Sequence, residues 1–340
     1  MENIKRQYPF TAIVGQDNMK KALLLNIINS SLGGVLIRGE KGTAKSTAVR
    51  ALADLLPERK EVSGCRFHCN PDEISECCDE CVGLIESGDV TQHKGKMKVV
   101  DLPVSATEDR VVGTLDIEHA IKMGEKKFES GILAEANRNI LYIDEVNLLD
   151  DHVVDILLDS AAMGVNTIER EGISYTHPAR FVLVGTMNPE EGDLRPQLLD
   201  RFGLVVEVMG ERETEKRVEV IKRRLEYEDN PEKFVERYTQ DNNRLNERIM
   251  NAKSLLSKVE YTDEILDMVA RLSIELEVDG HRADITMVKT AVTIAAFNGR
   301  TKVMKEDLLE AAELVLPHRM RRRPFEEGVL DFERVKQIIG

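Results

Sequence analysis

Residues 35–46 read VLIRGEKGTAKS, an apolar segment followed by a loop with two glycines and two lysines. A helix-like stretch runs from Ser46 to Leu56, and Pro57 stops it. In such a strand–loop–helix unit, backbone N–H groups and the helix N-terminus can hold phosphate groups. Lys45 is placed to reach the β- and γ-phosphates of a nucleotide, and the Ser46 hydroxyl to bind Mg²⁺. The residues predicted to form this phosphate loop are Gly39, Glu40, Lys41, Gly42, Thr43, Ala44, Lys45, Ser46 and Thr47.

One residue of this loop departs from the usual pattern. The residue before Lys45 is Ala44, where a glycine is usual. Alanine carries a Cβ and resists positive φ. On this loop alone, an ordinary strand–turn–helix connection with a surface lysine therefore stays open as an alternative.

A second segment, about a hundred residues further along, strengthens the nucleotide interpretation. Residues 139–145 read NILYIDE, an apolar strand that runs into two adjacent carboxylates. Asp144 is placed to hold Mg²⁺ through water, and Glu145 to polarise an attacking water molecule. Acidic pairs at strand ends are common, so their specificity comes from the combination with the loop. Together the two segments predict ATP as the bound nucleotide and Mg²⁺ as its metal cofactor.

Two further polar residues follow apolar segments. Residues 185–188, GTMN, end a predicted buried strand and place Asn188 beside the expected γ-phosphate; a plain turn residue before Pro189 is the alternative. Residues 198–203, LLDRFG, contain Arg201, for which a solvated arginine paired with Asp200 is the alternative to a catalytic role. As an arginine finger in a neighbouring subunit's site, Arg201 would raise the hydrolysis rate about 10³–10⁵-fold.

The pattern of apolar segments predicts an α/β fold. Short apolar runs at 98–104, 140–143, 180–184 and 204–208 lie between helical patterns, which is typical of a parallel sheet covered on both faces. We expect an α/β nucleotide-binding core over residues 1–225, a charged helical linker over 226–260, and an all-helical domain over 261–340.

Composition narrows the function class. With 47 Lys and Arg against 61 Asp and Glu, the net charge of −14 argues against a general nucleic-acid binder, which attracts phosphate with a basic surface. No apolar run approaches the roughly 18–20 residues that span a bilayer, and no leader-type apolar segment follows the start. We therefore expect a cytoplasmic protein that contacts neither nucleic acid nor membrane.

The order of the motifs resembles that of the AAA+ superfamily. The series consists of IVGQ at 13–16, the phosphate loop, LYIDEVN at 141–147, and NPEEGDLRPQLLDRFGL at 188–204. More narrowly, it is similar to the ATPase I subunit of magnesium chelatase and its cobalt-chelatase counterparts, over nearly the whole chain. The resemblance implies an AAA+ core with a C-terminal helical domain. It also implies ATP hydrolysis that drives Mg²⁺ or Co²⁺ insertion into a tetrapyrrole.

The resemblance also implies roles and partners. It makes Asn188 the sensor 1 residue, Arg201 the finger that acts on a neighbouring subunit, and Arg282, within DGHRAD at 279–284, the sensor 2 arginine. The chain would form a hexameric ring with copies of itself. Its partners would be a second AAA+ subunit that bears an integrin-type domain and a large subunit that holds the tetrapyrrole.

Two predicted insertions fit the same resemblance. Residues 101–131 lie between sheet strands and match the helix-2 insertion. Residues 165–175, with EREG at 169–172, predict a β-hairpin before the sensor strand. In this group of proteins such hairpins project from the ring toward a partner, whereas a surface hairpin without a role is the alternative.

Two other AAA+ functions stay open from the sequence. The GTAKS form of the loop also resembles replicative minichromosome maintenance helicases, which share both insertions. The acidic charge, the lack of an N-terminal DNA-binding domain, and LLDRFGL around Arg201 argue against a helicase. A MoxR-like chaperone ATPase that remodels a metal-dependent partner is the stronger alternative.

All five cysteines fall within seventeen residues. Cys65 and Cys69, and Cys78 and Cys81, have spacings compatible with Zn²⁺ or an iron–sulfur cluster. A structural loop with redox-sensitive thiols is the alternative for this region. If a metal is bound, it should fix a loop and take no part in catalysis.

A basic run, HRMRRR, occupies residues 318–323. We expect a solvated helix end or an ion pair with a neighbour, because nucleic-acid contact needs several basic patches with interleaved aromatics.

Overall fold

A five-stranded parallel sheet forms the centre of the computed structural model, which describes residues 7–40, 42–116, 127–170, 173–320 and 332–339. In chain order the described strands are β1 (Val35–Gly39), β2 (Arg59–Val62), β3 (Gln92–Gly95), β4 (Val99–Leu102), β5 (Gly113–Asp116), β6 (Lys127–Ser130), β7 (Ile140–Ile143), β8 (Val165–Arg170), β9 (Ile173–Pro178), β10 (Val182–Met187) and β11 (Leu204–Val208). The central sheet has the order β11-β1-β10-β7-β4. The predicted strands at 140–143 and 204–208 are confirmed, and those predicted at 98–104 and 180–184 are observed as β4 and β10.

Helices cover both faces of this sheet. In chain order the described helices are α1 (Asp17–Ile28), α2 (Lys45–Leu55), α3 (Asp79–Ser87), α4 (Glu108–Val112), α5 (Ile132–Ala136), α6 (Asp151–Met163), α7 (Pro196–Arg201), α8 (Thr214–Asp229), α9 (Pro231–Leu255), α10 (Asp263–Glu275), α11 (Arg282–Phe297), α12 (Lys305–Val315) and α13 (Phe332–Ile339). This arrangement confirms the predicted fold class, a parallel α/β core followed by a helical C-terminal region. Within the described parts of the chain, no helix is both long enough and apolar enough to cross a bilayer.

The alternation of side chains along β1 divides the core into two clusters. Val35 and Ile37 pack with α1, α2 and the C-terminal helices α9 to α13. Leu36 points to the other face and packs with α6, α7 and the hairpins. Because successive strand residues face opposite sides, a continuous apolar strand of this kind requires cover on both faces. The C-terminal helices therefore bury apolar surface against the sheet core itself.

Three two-stranded antiparallel ladders extend from this core. β2 pairs with β3, β5 with β6, and β8 with β9. The hairpin predicted at 165–175 is present, and its pairing continues from Val165 opposite Pro178 to Arg170 opposite Ile173. Of its predicted tip at 169–172, residues 171–172 lie outside the described residues, as do residues 117–126 of the other predicted insertion.

Candidate active site

A cleft of about 750 Å³ lies where β1, β7 and β10 end. The chain segments that follow these three strands contribute most of the predicted site residues. Because the carboxyl ends of parallel strands meet at one edge of the sheet, residues far apart in sequence converge there. The predicted residues that line the cleft are Gly42, Thr43, Ala44, Lys45, Ser46, Thr47, Asp144, Glu145 and Asn188. Lys41 lies outside the described residues.

Gly39 and Ala44 shape the phosphate loop. A Cβ on Gly39 would lie 1.9 Å from the carbonyl oxygen of Val208 in the neighbouring strand β11, so this position has room only for glycine. Ala44 adopts φ 61°, ψ 20°, the left-handed conformation that the usual glycine takes at this position. Such a conformation costs an L-residue roughly 1–2 kcal/mol. The loop therefore keeps its shape despite the alanine, at the expense of local strain.

The Lys45 side chain bonds back to the first residue of the phosphate loop. It is the first residue of α2, and its Nζ donates a hydrogen bond to the Gly39 carbonyl oxygen at 2.6 Å. Thr43 Oγ1 donates to the Glu40 carbonyl oxygen at 2.8 Å. Ser46 follows in the first turn of α2, where backbone N–H groups have no intrahelical acceptor. A cation, a hydroxyl and helix-terminal N–H groups are thus gathered at one point, and this donor set suits phosphate.

The two carboxylates at the end of β7 are held by neighbouring hydroxyls. Asp144 Oδ1 accepts hydrogen bonds from Thr186 Oγ1 at 2.7 Å and from the Tyr142 hydroxyl at 3.1 Å. Burial, together with the nearby Asp144 carboxylate, raises the pKa of Tyr142, so the phenol stays a hydrogen-bond donor. Glu145 takes φ 59°, a left-handed turn that redirects the chain directly after the strand. Its N–H donates to Thr186 Oγ1 at 3.3 Å.

Asn188 is the third predicted polar residue that lines the cleft after a strand end. It follows β10, is only 6% exposed, and its Oδ1 accepts a hydrogen bond from the Glu190 N–H at 3.2 Å. This bond fixes the plane of the amide. The side chain lines the cleft together with Lys45 and Glu145.

Arg201 and Arg282 do not line the cleft of their own chain. Arg201 Nη1 forms ion pairs with Asp155 at 3.0 Å and Asp159 at 2.8 Å, one turn apart on α6. Arg282, the first residue of α11, contacts Asp200 Oδ2 at 3.3 Å. Arg282 thus contacts the residue that directly precedes Arg201, and neither predicted arginine lines the cleft of its own chain.

The cleft is also lined by residues that the sequence reasoning missed. They are Tyr8 and, from α8, Arg217, Val220 and Arg224. Their spacing of three and four residues places them on one face of a helix. This spacing is the only sequence pattern that could have indicated these residues. Because the helix is charged on all sides, the pattern does not distinguish the face at the cleft from the other faces.

The basic run near the C-terminus differs from its prediction. Arg319 is only 8% exposed and donates to the carbonyl oxygens of Val315, Phe202 and Gly203 and to Asp200. The solvated helix end is therefore wrong for Arg319, whereas an ion pair, the other prediction, is present within the chain, with Asp200 at 3.1 Å. Burial lowers its pKa to about 10, against the opposing effect of the Asp200 carboxylate. Residues 321–323 of the run lie outside the described residues.

The predicted cysteine ligands converge at a second position. The Sγ atoms of Cys65, Cys69, Cys78 and Cys81 all lie within 4.8 Å of one another. Cys77 is directed elsewhere, and its Sγ donates to the Asn70 carbonyl oxygen at 3.2 Å. None of the four converging cysteines lines the cleft.

Comparison with known proteins identifies the chain's relatives. A family profile described as magnesium chelatase, subunit ChlI, matches residues 116–197, and an AAA lid domain profile matches residues 266–338. The magnesium-chelatase subunit ChlI homolog of Methanocaldococcus jannaschii is 62% identical over 333 residues, which cover 98% of this chain and 91% of that protein. The magnesium-chelatase subunit ChlI of Synechocystis sp. is 52% identical over 320 residues, which cover 94% of this chain and 90% of that protein.

A solved structure supports the same relationship. It describes the complex between subunits BchI and BchD of magnesium chelatase, and the matching chain is 45% identical with a TM-score of 0.55. The match covers 98% of this chain and 99% of that one. Identity at this level over nearly the whole length selects one family over the helicase and MoxR-like alternatives. The chain belongs to the magnesium-chelatase subunit ChlI family of AAA+ ATPases.

Proposed function

We propose that this chain hydrolyses ATP in the cleft and thereby drives the insertion of Mg²⁺ into a tetrapyrrole held by a separate large subunit. One observation carries the proposal: the phosphate loop, the carboxylate pair and Asn188 face a single cleft of about 750 Å³. In the proposed complex, Lys45 contacts the β- and γ-phosphates. The chemistry of this chain is phosphoryl transfer to water, and metal insertion belongs to the assembly.

The residues present fit a magnesium ion beside these phosphates. Asp144 is fixed by the hydrogen bonds from Thr186 and Tyr142, and Ser46 offers a hydroxyl from the adjacent helix. Hydroxyl and carboxylate oxygens are the ligands that Mg²⁺ prefers. When bound, the ion neutralises charge on the β- and γ-phosphate oxygens.

Glu145 has the role of positioning water in this proposal. Its carboxylate follows Asp144 on a left-handed turn, so the two adjacent side chains serve separate tasks. Glu145 accepts a hydrogen bond from the attacking water and increases its nucleophilicity. Asn188, with its amide plane fixed by Glu190, orients the same water or a γ-phosphate oxygen.

Arg201 and Arg282 act on the nucleotide of a neighbouring subunit in this proposal. Their absence from the cleft of their own chain and their shared neighbour Asp200 support such a role. A head-to-tail interface that repeats forms a ring when its rotation closes. We propose a hexamer, with a second AAA+ subunit bearing an integrin-type domain as the partner that connects it to the tetrapyrrole-binding subunit.

The test is reconstitution with the two partner subunits from the same organism. The mixture should convert a free porphyrin into its Mg²⁺ complex only when ATP is present. The change in porphyrin fluorescence measures this conversion. Glu145→Gln should still bind ATP but hydrolyse it at least about 10²-fold more slowly, and metal insertion should fall with it. Glu264→Gln, an exposed carboxylate in the first turn of α10, is the matched control and should retain full activity.

Each outcome has a defined meaning. ATP hydrolysis without metal insertion in the complete mixture would contradict the chelatase function while leaving the ATPase site intact. Insertion of Co²⁺ but not Mg²⁺ would contradict the metal assigned. Unchanged hydrolysis by Glu145→Gln would contradict the site itself.

A further inference from the structure

Four cysteines converge in the loop-rich unit between β2 and β3, outside the proposed nucleotide site. The Sγ atoms of Cys65, Cys69, Cys78 and Cys81 lie within 4.8 Å of one another, and those of Cys65 and Cys78 are 3.9 Å apart. Cys65 is half-buried and the other three are buried. Packing of cysteines as small apolar side chains does not require their sulfurs to face a common centre.

We propose that these four thiolates bind one Zn²⁺ ion and that this ion fixes residues 65–81, here termed the cysteine knuckle. Zinc held tetrahedrally by four cysteines has Zn–S distances of about 2.3 Å, which places neighbouring sulfurs about 3.8 Å apart. The spacing of 3.9 Å between Cys65 and Cys78 agrees with this value. A four-iron cluster would hold the cysteine sulfurs farther apart, because its iron and sulfide atoms stand between them.

The local backbone stabilises negative charge on the sulfurs. The Phe67 N–H donates to Cys65 Sγ and the Cys78 N–H donates to Cys69 Sγ, both at 3.3 Å. Cys78 is the N-cap of α3 and Cys81 lies in its first turn, where the helix dipole favours a thiolate. Hydrogen bonds of this kind orient and tune the ligands of a metal ion.

The architecture of the knuckle also indicates a need for a cross-link. Between β2 and β3, the described chain forms only a single turn at Ile74–Glu76 and the nine-residue helix α3. A small unit with so little regular structure cannot bury enough apolar surface to be stable alone. A structural zinc ion supplies that stability in units of this size.

The knuckle supports both hairpins. Phe67, between the first two ligands, is fully buried and stacks on the His177 ring of the β8–β9 hairpin, with centroids 4.8 Å apart. It also stacks on Phe128 of the β5–β6 hairpin at 6.2 Å, and Arg66 Nη1 donates to the Phe128 carbonyl oxygen at 3.0 Å. A metal ion that fixes Cys65 and Cys69 therefore fixes the surface on which both hairpins rest.

The knuckle also contacts the segment that leads into β7. Asn137 Nδ2 donates to the Phe67 carbonyl oxygen at 2.5 Å, and Arg138 Nη1 donates to that of His68 at 2.7 Å. These contacts lie at the start of β7, whereas Asp144 and Glu145 follow its end. We therefore assign the ion a structural role, separate from ATP hydrolysis.

Metal analysis of the full chain tests the site. Protein without a histidine tag, from cells grown with zinc, should contain about one zinc per chain by elemental mass spectrometry. Titration of the native protein with a mercurial thiol reagent should release that zinc to a chromophoric indicator as four thiols react. Protein without stoichiometric zinc, with iron in its place, or with disulfides among the four cysteines would overturn the proposal.

Substitutions provide a matched comparison. Cys69→Ser and Cys81→Ser should lose at least nine-tenths of the bound zinc. Cys77→Ser should retain all of it, because Cys77 contacts a backbone carbonyl and lies outside the cluster. Equal zinc content in Cys77→Ser and Cys81→Ser would contradict the ligand set. If the ligand variants fail to fold, replacement of zinc by Co²⁺ in the wild-type chain should give the absorption bands of a tetrahedral tetrathiolate site, and their absence would overturn the assignment.

The structural role has its own measurement on the wild-type protein. Removal of zinc by a strong chelator should accelerate protease cleavage within the strands β5, β6, β8 and β9 at least tenfold. ATP affinity should change less than twofold. Unchanged cleavage in the hairpins after zinc loss would contradict the supporting role, and loss of ATP binding would contradict the separation from the nucleotide site.

Discussion

Gly39 lies where the phosphate loop leaves β1 alongside β11. A Cβ here would come within 1.9 Å of the Val208 carbonyl oxygen, whereas a Cβ on Gly42 would meet nothing within 4 Å. Gly39→Ala should therefore force the two strands apart and destabilise the protein by more than about 3 kcal/mol. Gly42→Ala, the matched control, carries only the strain of its positive φ, about 1–2 kcal/mol. Urea denaturation of the two variants measures the difference, and equal losses of stability would contradict the close approach of β1 and β11.

At the residue scale, the loop residues 42–47, Asp144, Glu145 and Asn188 line one cleft as predicted from their positions, whereas Arg217 and Arg224, which also line it, were not predicted. The loop at 39–47, Asp144, Glu145 and Asn188 follow strand ends, and the parallel-sheet rule brings strand ends together. No such rule places Arg217 and Arg224, because they reach the cleft through the packing of a long charged helix. Ala44 shows a similar limit, since only the coordinates show that the alanine adopts the conformation of the missing glycine.

Between elements, Asp200 connects the sheet core to the C-terminal helices. It lies on α7 and accepts from Arg319 Nε at 3.1 Å and from Arg282 Nη1 at 3.3 Å. The Arg319 side chain is 1% exposed, so Asp200→Asn leaves a buried guanidinium without its carboxylate. We expect a loss of about 2–3 kcal/mol in the free energy of unfolding.

The control for this prediction is an exposed pair of the same type. Asp267 pairs with Arg271 on α10, and both side chains are more than half exposed. Asp267→Asn should change stability by less than about 0.5 kcal/mol. Chemical denaturation compares the variants, and a similar effect at both positions would show that Asp200 does not stabilise the docking of the helices.

The predicted elements were most accurate where periodicity is strong. The strand at 140–143 is a continuous apolar run and that at 204–208 is apolar except for Glu207, and the bounds of both match the observed ones. The ladder between β2 and β3 was not predicted, because RKEV and QHKG carry no apolar alternation. Its register depends on contacts from outside, including the hydrogen bond from the Val62 N–H to the Cys69 carbonyl oxygen at 2.9 Å.

For the whole assembly, mixing two inactive variants tests the shared site. Arg201→Ala subunits lack the proposed finger, whereas Glu145→Gln subunits lack the carboxylate proposed to position water. In a ring assembled at random from equal amounts, about a quarter of the sites would contain both residues. ATPase activity of the mixture should rise to about that fraction of wild type.

The matched control mixes Lys45→Ala with Glu145→Gln. Both residues line the cleft of their own chain, so no arrangement of subunits completes a site. Activity should stay at the level of the separate variants. Rescue in this control, or its absence at every ratio in the test mixture, would contradict a finger that acts between subunits.

Two buried histidines predict how the stability of the whole molecule depends on pH. Burial lowers the pKa of His318 well below its usual value, with the Arg319 guanidinium as a further cause, and burial also lowers the pKa of His177. In the unfolded chain histidine has a pKa of about 6.5. Below that pH the unfolded chain takes up protons that the folded chain does not, so stability falls as the pH falls through this range.

Each histidine contributes a slope of up to about 1.4 kcal/mol per pH unit below its unfolded pKa. His318→Gln and His177→Gln should each reduce the slope of unfolding free energy between pH 5 and 6.5. Urea denaturation at several pH values measures it, and an unchanged slope in both buried-site variants would contradict the prediction.

The packing of the C-terminal helices against the sheet could not be predicted from the sequence. Helical patterns predicted these elements, but the partners of α11 and of Arg319 depend on packing between segments that lie 82 and 116 residues apart in the sequence. A basic run gives no sign that one of its arginines is buried on carbonyl oxygens. Long-range burial of this kind has no local pattern.

The double attachment of Asp200 gives the proposed ring a direction. Asp200 joins the C-terminal helices to the turn of helix that ends in Arg201. In that ring, a movement of those helices in one subunit would displace an arginine that we propose to act on the next subunit's nucleotide and not on its own. The state of one site would then affect only the next site in one direction around the ring. Such coupling favours ATP hydrolysis in sequence over simultaneous hydrolysis at all sites.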